Sequence, residues 1–217
     1  MCEPVIMEEL IPNRLFKDIR KNPFCFQSDI LPDKGLKDLR QNILNSKYLA
    51  VNNLNRDFVS TRGYSVVFRR TALEKVLSRF PYFKNYIDLA LDPDCNAFYL
   101  NPLILTNNSR VDPHIDRSLR SYLKTIDPPA LVSVLYVLVP ENMEGGELVI
   151  ANHKKKLGDY KPVENSLLLF QGHLTHSVNP VKASGNRISL VCEQYLLNDE
   201  EMEQVPEFTI ESRKLKY

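Results

Sequence analysis

The chain has no tryptophan, only seven glycines in 217 residues, and four cysteines with no C-x-x-C pair among them. Cys2, Cys25, Cys95 and Cys192 are too far apart in sequence for a zinc ribbon, and a chain this long needs no disulfide framework to fold. Reduced thiols and a cytoplasmic location are the expectation. No charge of one sign dominates: 28 Lys and Arg stand against 27 Asp and Glu. Binders of nucleic acid or of anionic membranes usually carry a basic excess, so neither is expected as a partner. Long apolar runs are missing too. The longest, residues 131–139, falls far short of the ~20 residues that span a bilayer. Glu3, Glu8 and Glu9 interrupt the first ten residues, which therefore do not read as a secretory signal.

What remains is a globular chain, 43% hydrophobic and 25% charged, with fourteen prolines that punctuate it into short segments. Its length suits a single domain, expected over 1–217, in three parts. Residues 1–95 read as mixed helical support, 96–200 as a β core and 201–217 as a tail. In the first part, Leu36, Leu39, Ile43 and Leu44 recur at helical spacing over 34–47, with Asp33 as the candidate cap. A second helix is expected over 71–80, with Thr71 and Glu74 forming a capping box and Pro81 ending it. A third follows over 82–91. Residues 24–30 and 63–68 look like strands.

From residue 96 onward, strand candidates follow one another at 98–106, 131–139, 147–151, 166–170, 177–181 and 187–197. Pro, Gly and Asn clusters separate them. Such a series points to a sandwich, barrel or jelly roll. The run 131–139 lacks polar alternation, so both its faces should be covered. Lys154, Lys155 and Lys156 are expected at a solvated hairpin tip.

Only four histidines are present: His114, His153, His173 and His176. His114-Ile115-Asp116 places an imidazole and a carboxylate two residues apart, on one face if the segment is extended. That donor pair suits Fe(II), Mn(II) or Zn(II). About sixty residues later, His176 precedes Ser177-Val178-Asn179-Pro180-Val181, and it is preferred over His173 as the third ligand. His153, beside the lysines, reads as an exposed loop residue. In the strand from Arg187, the residues Ile188, Leu190 and Cys192 would face the core, with Gln194 as a polar interruption. Arg187, Ser189, Val191 and Glu193 would face inward together. A buried guanidinium needs a partner. Glu193 is the structural candidate, and the carboxylate of a small acid is the functional one. Tyr136 is assigned to the core.

H-x-D, a span of about sixty residues, His, and then R-x-S eleven residues on together resemble the Fe(II)- and 2-oxoglutarate-dependent dioxygenases. Glu144-Gly145-Gly146-Glu147-Leu148 and Ser166-Leu167-Leu168-Leu169-Phe170 are similar to stretches of the prolyl-4-hydroxylase-like branch. The resemblance covers about residues 97–197. It implies a mainly β fold with supporting α, a double-stranded β-helix (a cupin-like jelly roll) with N-terminal helices packed on one sheet. It also implies Fe(II) held by His114, Asp116 and His176, and 2-oxoglutarate held through its C5 carboxylate by Arg187 and Ser189. With O2, and ascorbate as an optional reductant, such an oxygenase converts 2-oxoglutarate to succinate and CO2 and hydroxylates a C–H bond. The family's halogenases lack the carboxylate ligand, so Asp116 favours hydroxylation. No catalytic residue beyond the metal ligands is implied. Two departures are visible: no tyrosine lies in 104–113, and Arg187 stands where many relatives use lysine.

The expected substrate is a small molecule, an amino acid or a peptidyl side chain. An open polar groove beside the metal would indicate a peptide, and a closed pocket lined by arginines a small acid. Arg110, Arg117 and Arg120 surround H-x-D and could meet an anion there. Residues 118–129 could cover the site. The competing reading is a non-oxidative jelly-roll protein: a zinc-type hydrolase or isomerase on the same ligands, or a small-ligand binding module. A hydrolase would need a general base, and no glutamate lies close enough in sequence to nominate.

Overall fold

The computed structural model describes residues 10–51 and 57–213. The opening residues, including Cys2 and the stretch read as lacking a secretory signal, lie outside the described residues. The N-terminal part contains α1 (Leu10–Ile19), β1 (Phe24–Ser28), α2 (Asp33–Leu44), β2 (Ala50–Val51), β3 (Phe58–Gly63), β4 (Ser65–Arg69), α3 (Leu73–Arg79) and α4 (Lys84–Ala90). Strands then take over: β5 (Ala97–His114), β6 (Leu131–Leu138), β7 (Glu144–Gly145), β8 (Leu148–Asn152), β9 (Lys155–Tyr160), β10 (Ser166–Gln171), β11 (Thr175–Val178), β12 (Val181–Lys182) and β13 (Arg187–Tyr195). The helix α5 (Asp199–Gln204) and strand β14 (Phe208–Glu211) follow. Twelve strands form one curled antiparallel sheet along β1-β10-β6-β13-β5-β11-β8-β9, with β4, β14, β3 and β2 joined through β5. This is the mainly β jelly roll with supporting helices that the resemblance implied. No helix among the described residues is long and apolar enough to cross a membrane.

The period of two along a strand sorts the core into two sides. On β6, Leu131, Leu135 and Val137 join the helices in one cluster, while Val132, Val134 and Tyr136 join a second cluster inside the roll. β10 divides in the same way, with Leu167 and Leu169 on the helix side and Leu168 and Phe170 inside. On β13, Ile188, Leu190 and Cys192 pack toward the helices. The helices answer with Leu36, Leu39 and Ile43 of α2 and Tyr86, Ile87 and Ala90 of α4. Each large aliphatic side chain fully buried here contributes roughly 1.5–3 kcal/mol. Gln194, the polar interruption on this face, accepts from the Asp92 amide and donates to the Ala90 carbonyl, so it closes the end of α4.

The strand β5 is far longer than the segment 98–106 expected for it, because it bends without ending. At the bend, Ser109 is fully buried. Its hydroxyl accepts from the Thr106 amide at 2.8 Å and donates to the Ser60 carbonyl at 2.7 Å. Asn108 and Ser60 both sit at positive φ there. Before the bend β5 pairs with β13; after it, β5 pairs with β11 and brings His114 directly opposite His176. A local irregularity thus moves one strand between the two walls of the roll.

The Gly145-Gly146 pair has a backbone reason. Gly145 has φ +70°, and a Cβ there would lie 2.1 Å from the Pro180 carbonyl oxygen, across the β7–β12 ribbon. Gly145→Ala should therefore destabilise the fold by more than the ~1–2 kcal/mol of left-handed strain alone. Gly185→Ala, whose Cβ would find ordinary contacts with Pro140, should stay within about 0.5 kcal/mol of the native chain. Urea unfolding of both variants checks this.

Several local expectations are corrected. Asp33 is the first residue of α2 and not its cap; Pro32 precedes the helix with no side-chain cap bond. Thr71 lies in a 3-10 turn, and α3 begins after Ala72 without a capping box. Tyr64 separates β3 from β4, dividing the single strand expected over 63–68. Residues 201–217, expected as a tail, include the end of α5 and β14, which pairs with β4. Residues 118–129 are anchored through the buried Leu119 and Leu123 in a third cluster with Tyr195 and Leu197.

Candidate active site

His114, Asp116 and His176 converge: one potential ligand atom from each lies within 4.8 Å of the others. His114 Nε2 is 3.1 Å from Asp116 Oδ1, and His176 Nε2 is 3.4 Å from Asp116 Oδ2. Nδ1 of His114 lies 2.9 Å from the Asp112 carbonyl and Nδ1 of His176 lies 3.3 Å from that of Leu174. A carbonyl can only accept, so each Nδ1 carries a proton, and Nε2 is the ring atom that each histidine turns toward Asp116. Backbone carbonyls commonly fix metal-binding histidines in this way. The strand-parity argument holds only in part, because β5 ends at His114 and Asp116 lies on the irregular segment beyond it. His173 is exposed and lines a different cleft with Arg20 and Asp92, and His153 is an exposed turn residue.

Burial disfavours a charge on either Asp116 or His114, but the mutual attraction wins. His176 and His114 hold the Asp116 carboxyl well below its ordinary range, and Asp116 raises the His114 imidazole. A metal must then displace the His114 proton. Mn(II) affinity should fall as pH drops through that group's range, by up to about tenfold per pH unit for each proton released. Calorimetric titrations at about pH 6 and about pH 8 measure the slope.

The cluster opens into a cavity of about 50 Å³ whose lining includes Leu103, Val132, Leu148, Phe170, Arg187 and Ser189. Arg187 is 2% exposed and stacks on the Tyr136 ring at 5.1 Å. Its Nε and Nη1, Ser189 Oγ and Tyr136 Oη are all buried without a hydrogen-bond partner. Burial pushes the Arg187 guanidinium down, and burial pushes the Tyr136 phenol up against the pull of Arg187. Glu193 is not the partner of Arg187. It shares the inward face of β13, but its carboxylate takes the Ser118 amide at 3.0 Å, the Ser118 hydroxyl and the Tyr195 hydroxyl. Tyr136 is likewise no simple core residue. The register pairs it with Ser189, which places its phenol beside the arginine.

A second cleft, about 370 Å³, reaches the same cluster from outside. Its lining includes Asp57, Phe58, Tyr99, Arg117, Arg120 and Glu211. Glu211 accepts from the Tyr99 and Tyr122 hydroxyls. Arg110 pairs instead with Asp112 at 2.8 Å. Phe58, Tyr99 and Glu211 were not read from the sequence as site residues. They come from distant strands that only the curled sheet brings together.

The family model of the 2OG-Fe(II) oxygenase superfamily matches residues 100–192. No curated protein matches the chain in sequence. Among solved structures, a Pseudomonas putida prolyl-4-hydroxylase superposes with TM-score 0.60 at 18% identity, covering 85% of this chain and 98% of that one. A Trichoplax adhaerens prolyl hydroxylase, solved with a hypoxia inducible factor oxygen degradation domain peptide fragment, gives 0.61 at 17%, covering 90% and 93%. A Burkholderia pseudomallei oxidoreductase of the 2OG-Fe(II) oxygenase family gives 0.56 at 13%, covering 91% and 94%. The convergence of three potential metal ligands, the fold and the match over residues 100–192 agree, and this part of the chain is similar to the 2OG-Fe(II) oxygenase superfamily.

Proposed function

We propose that His114, Asp116 and His176 hold Fe(II), that Arg187 and Ser189 hold the distal carboxylate of 2-oxoglutarate, and that the substrate is a peptidyl side chain entering by the outer cleft. The observation that carries this reading is Arg187, buried with Nε and Nη1 lacking hydrogen bonds, in the cavity that the three candidate metal ligands also line. An isolated buried charge costs several kcal/mol. A ligand that chelates a metal and carries a second carboxylate would satisfy the cluster and the arginine at once. Asp116 Oδ2, buried and without a hydrogen bond, suits a metal, and the orphaned Ser189 and Tyr136 hydroxyls suit an anion.

When bound, Fe(II) supplies the coordination positions at which O2 and 2-oxoglutarate react, giving succinate, CO2 and one oxygen atom for the substrate C–H bond. The protein's part is positional. Two backbone carbonyls orient the histidines, Phe58 packs edge-on to His114 at 5.3 Å and Phe170 against His176 at 4.8 Å, and the apolar lining keeps water from the reacting centre.

The outer cleft supports the peptide side of the substrate question. Polar and apolar groups share its lining, it carries both charge signs, and it opens to solvent beside the exposed Ile115, Arg117, Arg120 and Ser121. Asp57 and Glu211 offset Arg117 and Arg120 in its lining, which does not favour a small acid. A cytoplasmic location is part of the proposal, supported by the free thiols Cys25, Cys95 and Cys192. Succinate release across a panel of short peptides and free amino acids tests the substrate class. Peptide-dependent turnover supports the reading, and turnover driven only by free amino acids overturns it.

A further inference from the structure

Asp116 is the ligand with the least regular support. β5 stops at His114, and the next hydrogen-bonded element is the 3-10 turn Ser118–Ser121. Pairing of His114 with His176 fixes the segment on its N-terminal side. On the C-terminal side the fixture is Glu193. Its Oε2 accepts from the Ser118 amide at 3.0 Å and its Oε1 accepts from the Ser118 hydroxyl. The Tyr195 hydroxyl donates to the same carboxylate and holds it from behind. Glu193 is 4% exposed and stands on the inward face of β13, in line with Arg187 and Ser189.

We propose that Glu193 is a positioning residue that clamps the Asp116 turn onto the strand bearing the 2-oxoglutarate contacts, and so sets the metal affinity of the site. This rests on the reading of Asp116 as a metal ligand. Three donors occupy the carboxylate, so it has little left to offer substrate or metal directly. Keeping it there is unfavourable: burial, followed by the negative charge of Asp116, pushes its carboxyl up to about 8. An apolar side chain could fill the same space without that cost, but it could not hold Ser118. The clamp also ties the metal side of the cavity to the cosubstrate side, since one strand carries Arg187, Ser189 and Glu193.

The test is Mn(II) binding to the full chain, followed by calorimetry and by the Mn(II) electron paramagnetic resonance spectrum, in Glu193→Ala, Glu193→Gln, Ser118→Ala and Asp116→Ala. Loss of supporting contacts around a metal ligand typically costs about 10–100-fold in affinity, and Glu193→Ala should fall in that range with an altered spectrum. Glu193→Gln, whose amide oxygen can still accept from Ser118 and whose NH2 can donate to a hydroxyl, should stay within about threefold of native. Ser118→Ala loses only the hydroxyl bond and should give a smaller loss of the same kind, which keeps the test decisive if Glu193→Ala fails to fold. Native Mn(II) affinity in folded Glu193→Ala or Ser118→Ala, or a loss in Glu193→Gln as large as in Glu193→Ala, overturns the proposal. Asp116→Ala separates the two levels: if it too binds Mn(II) as the native chain does, the ligand assignment itself fails, whereas its loss beside an unaffected Glu193→Ala removes only the clamp.

Discussion

Asp116→Ala and His176→Ala should each lower 2-oxoglutarate turnover by roughly three orders of magnitude while leaving the chain folded. The three side chains bring one potential donor atom each within 4.8 Å of the others, and no other such group exists among the described residues. Losing a protein ligand forfeits several kcal/mol of the metal's contribution, and each 1.36 kcal/mol is about tenfold in rate. His176 sits on β11 between β5 and β8, where a ring removed toward the cavity leaves the backbone ladder intact. His173→Ala serves as the matched control, because that ring is exposed in a separate cleft. Its turnover should stay native. Succinate release at saturating Fe(II) measures all three.

Arg187→Met should move affinity and stability in opposite directions. In the absence of ligand the guanidinium is buried with Nε and Nη1 unpaired, and its compensation is the Tyr136 ring. A cation–π contact of this kind is worth ~2 kcal/mol when desolvated, less than the several kcal/mol that burial of the charge costs. Replacing buried ionic groups by apolar residues of similar volume often stabilises proteins by ~1–4 kcal/mol. The ligand-free variant should therefore melt higher than the native chain. Truncating one member of a buried charged pair costs ~2–5 kcal/mol in binding, which is about thirtyfold to several thousandfold in 2-oxoglutarate affinity. Thermal melting with and without 2-oxoglutarate reads both effects. A variant that melts lower without ligand and binds 2-oxoglutarate normally would mean that Arg187 is structural.

The parts of the site that lie on regular strands were legible in the sequence. The alternation along β13 put Arg187, Ser189, Val191 and Glu193 on one face, and all four line the cavity. His176 was separable from His173 by its sequence context, and the structure gives the reason: His176 is on β11 while His173 is in the turn before it. What was not legible depends on irregular backbone. The bend at Ser109 lets one strand serve two walls, and no periodicity announces it. Asp116 meets the histidines from a segment with no strand geometry, so it stands beside them for a reason other than the parity argument, which applies only to His114. Tyr136 could not be given a side until the β6–β13 register was known. Glu193 was matched with Arg187 because the two share a face. In the fold, Ser118 reaches it from a segment 75 residues away, a pairing that no local pattern encodes. Phe58, Tyr99 and Glu211 were missed because the curl of the sheet alone makes them neighbours.

The central claim is that one cavity holds the metal and 2-oxoglutarate together, each through its own residues. Anaerobic calorimetric titration of 2-oxoglutarate into the chain, with and without Mn(II), tests it most directly. One 2-oxoglutarate should bind per chain, more tightly when the metal is present, and 2-oxoglutarate should enhance Mn(II) affinity by the same factor. Arg187→Met should abolish the 2-oxoglutarate signal and leave Mn(II) binding in place. Binding of 2-oxoglutarate that is indifferent both to the metal and to Arg187 would contradict it.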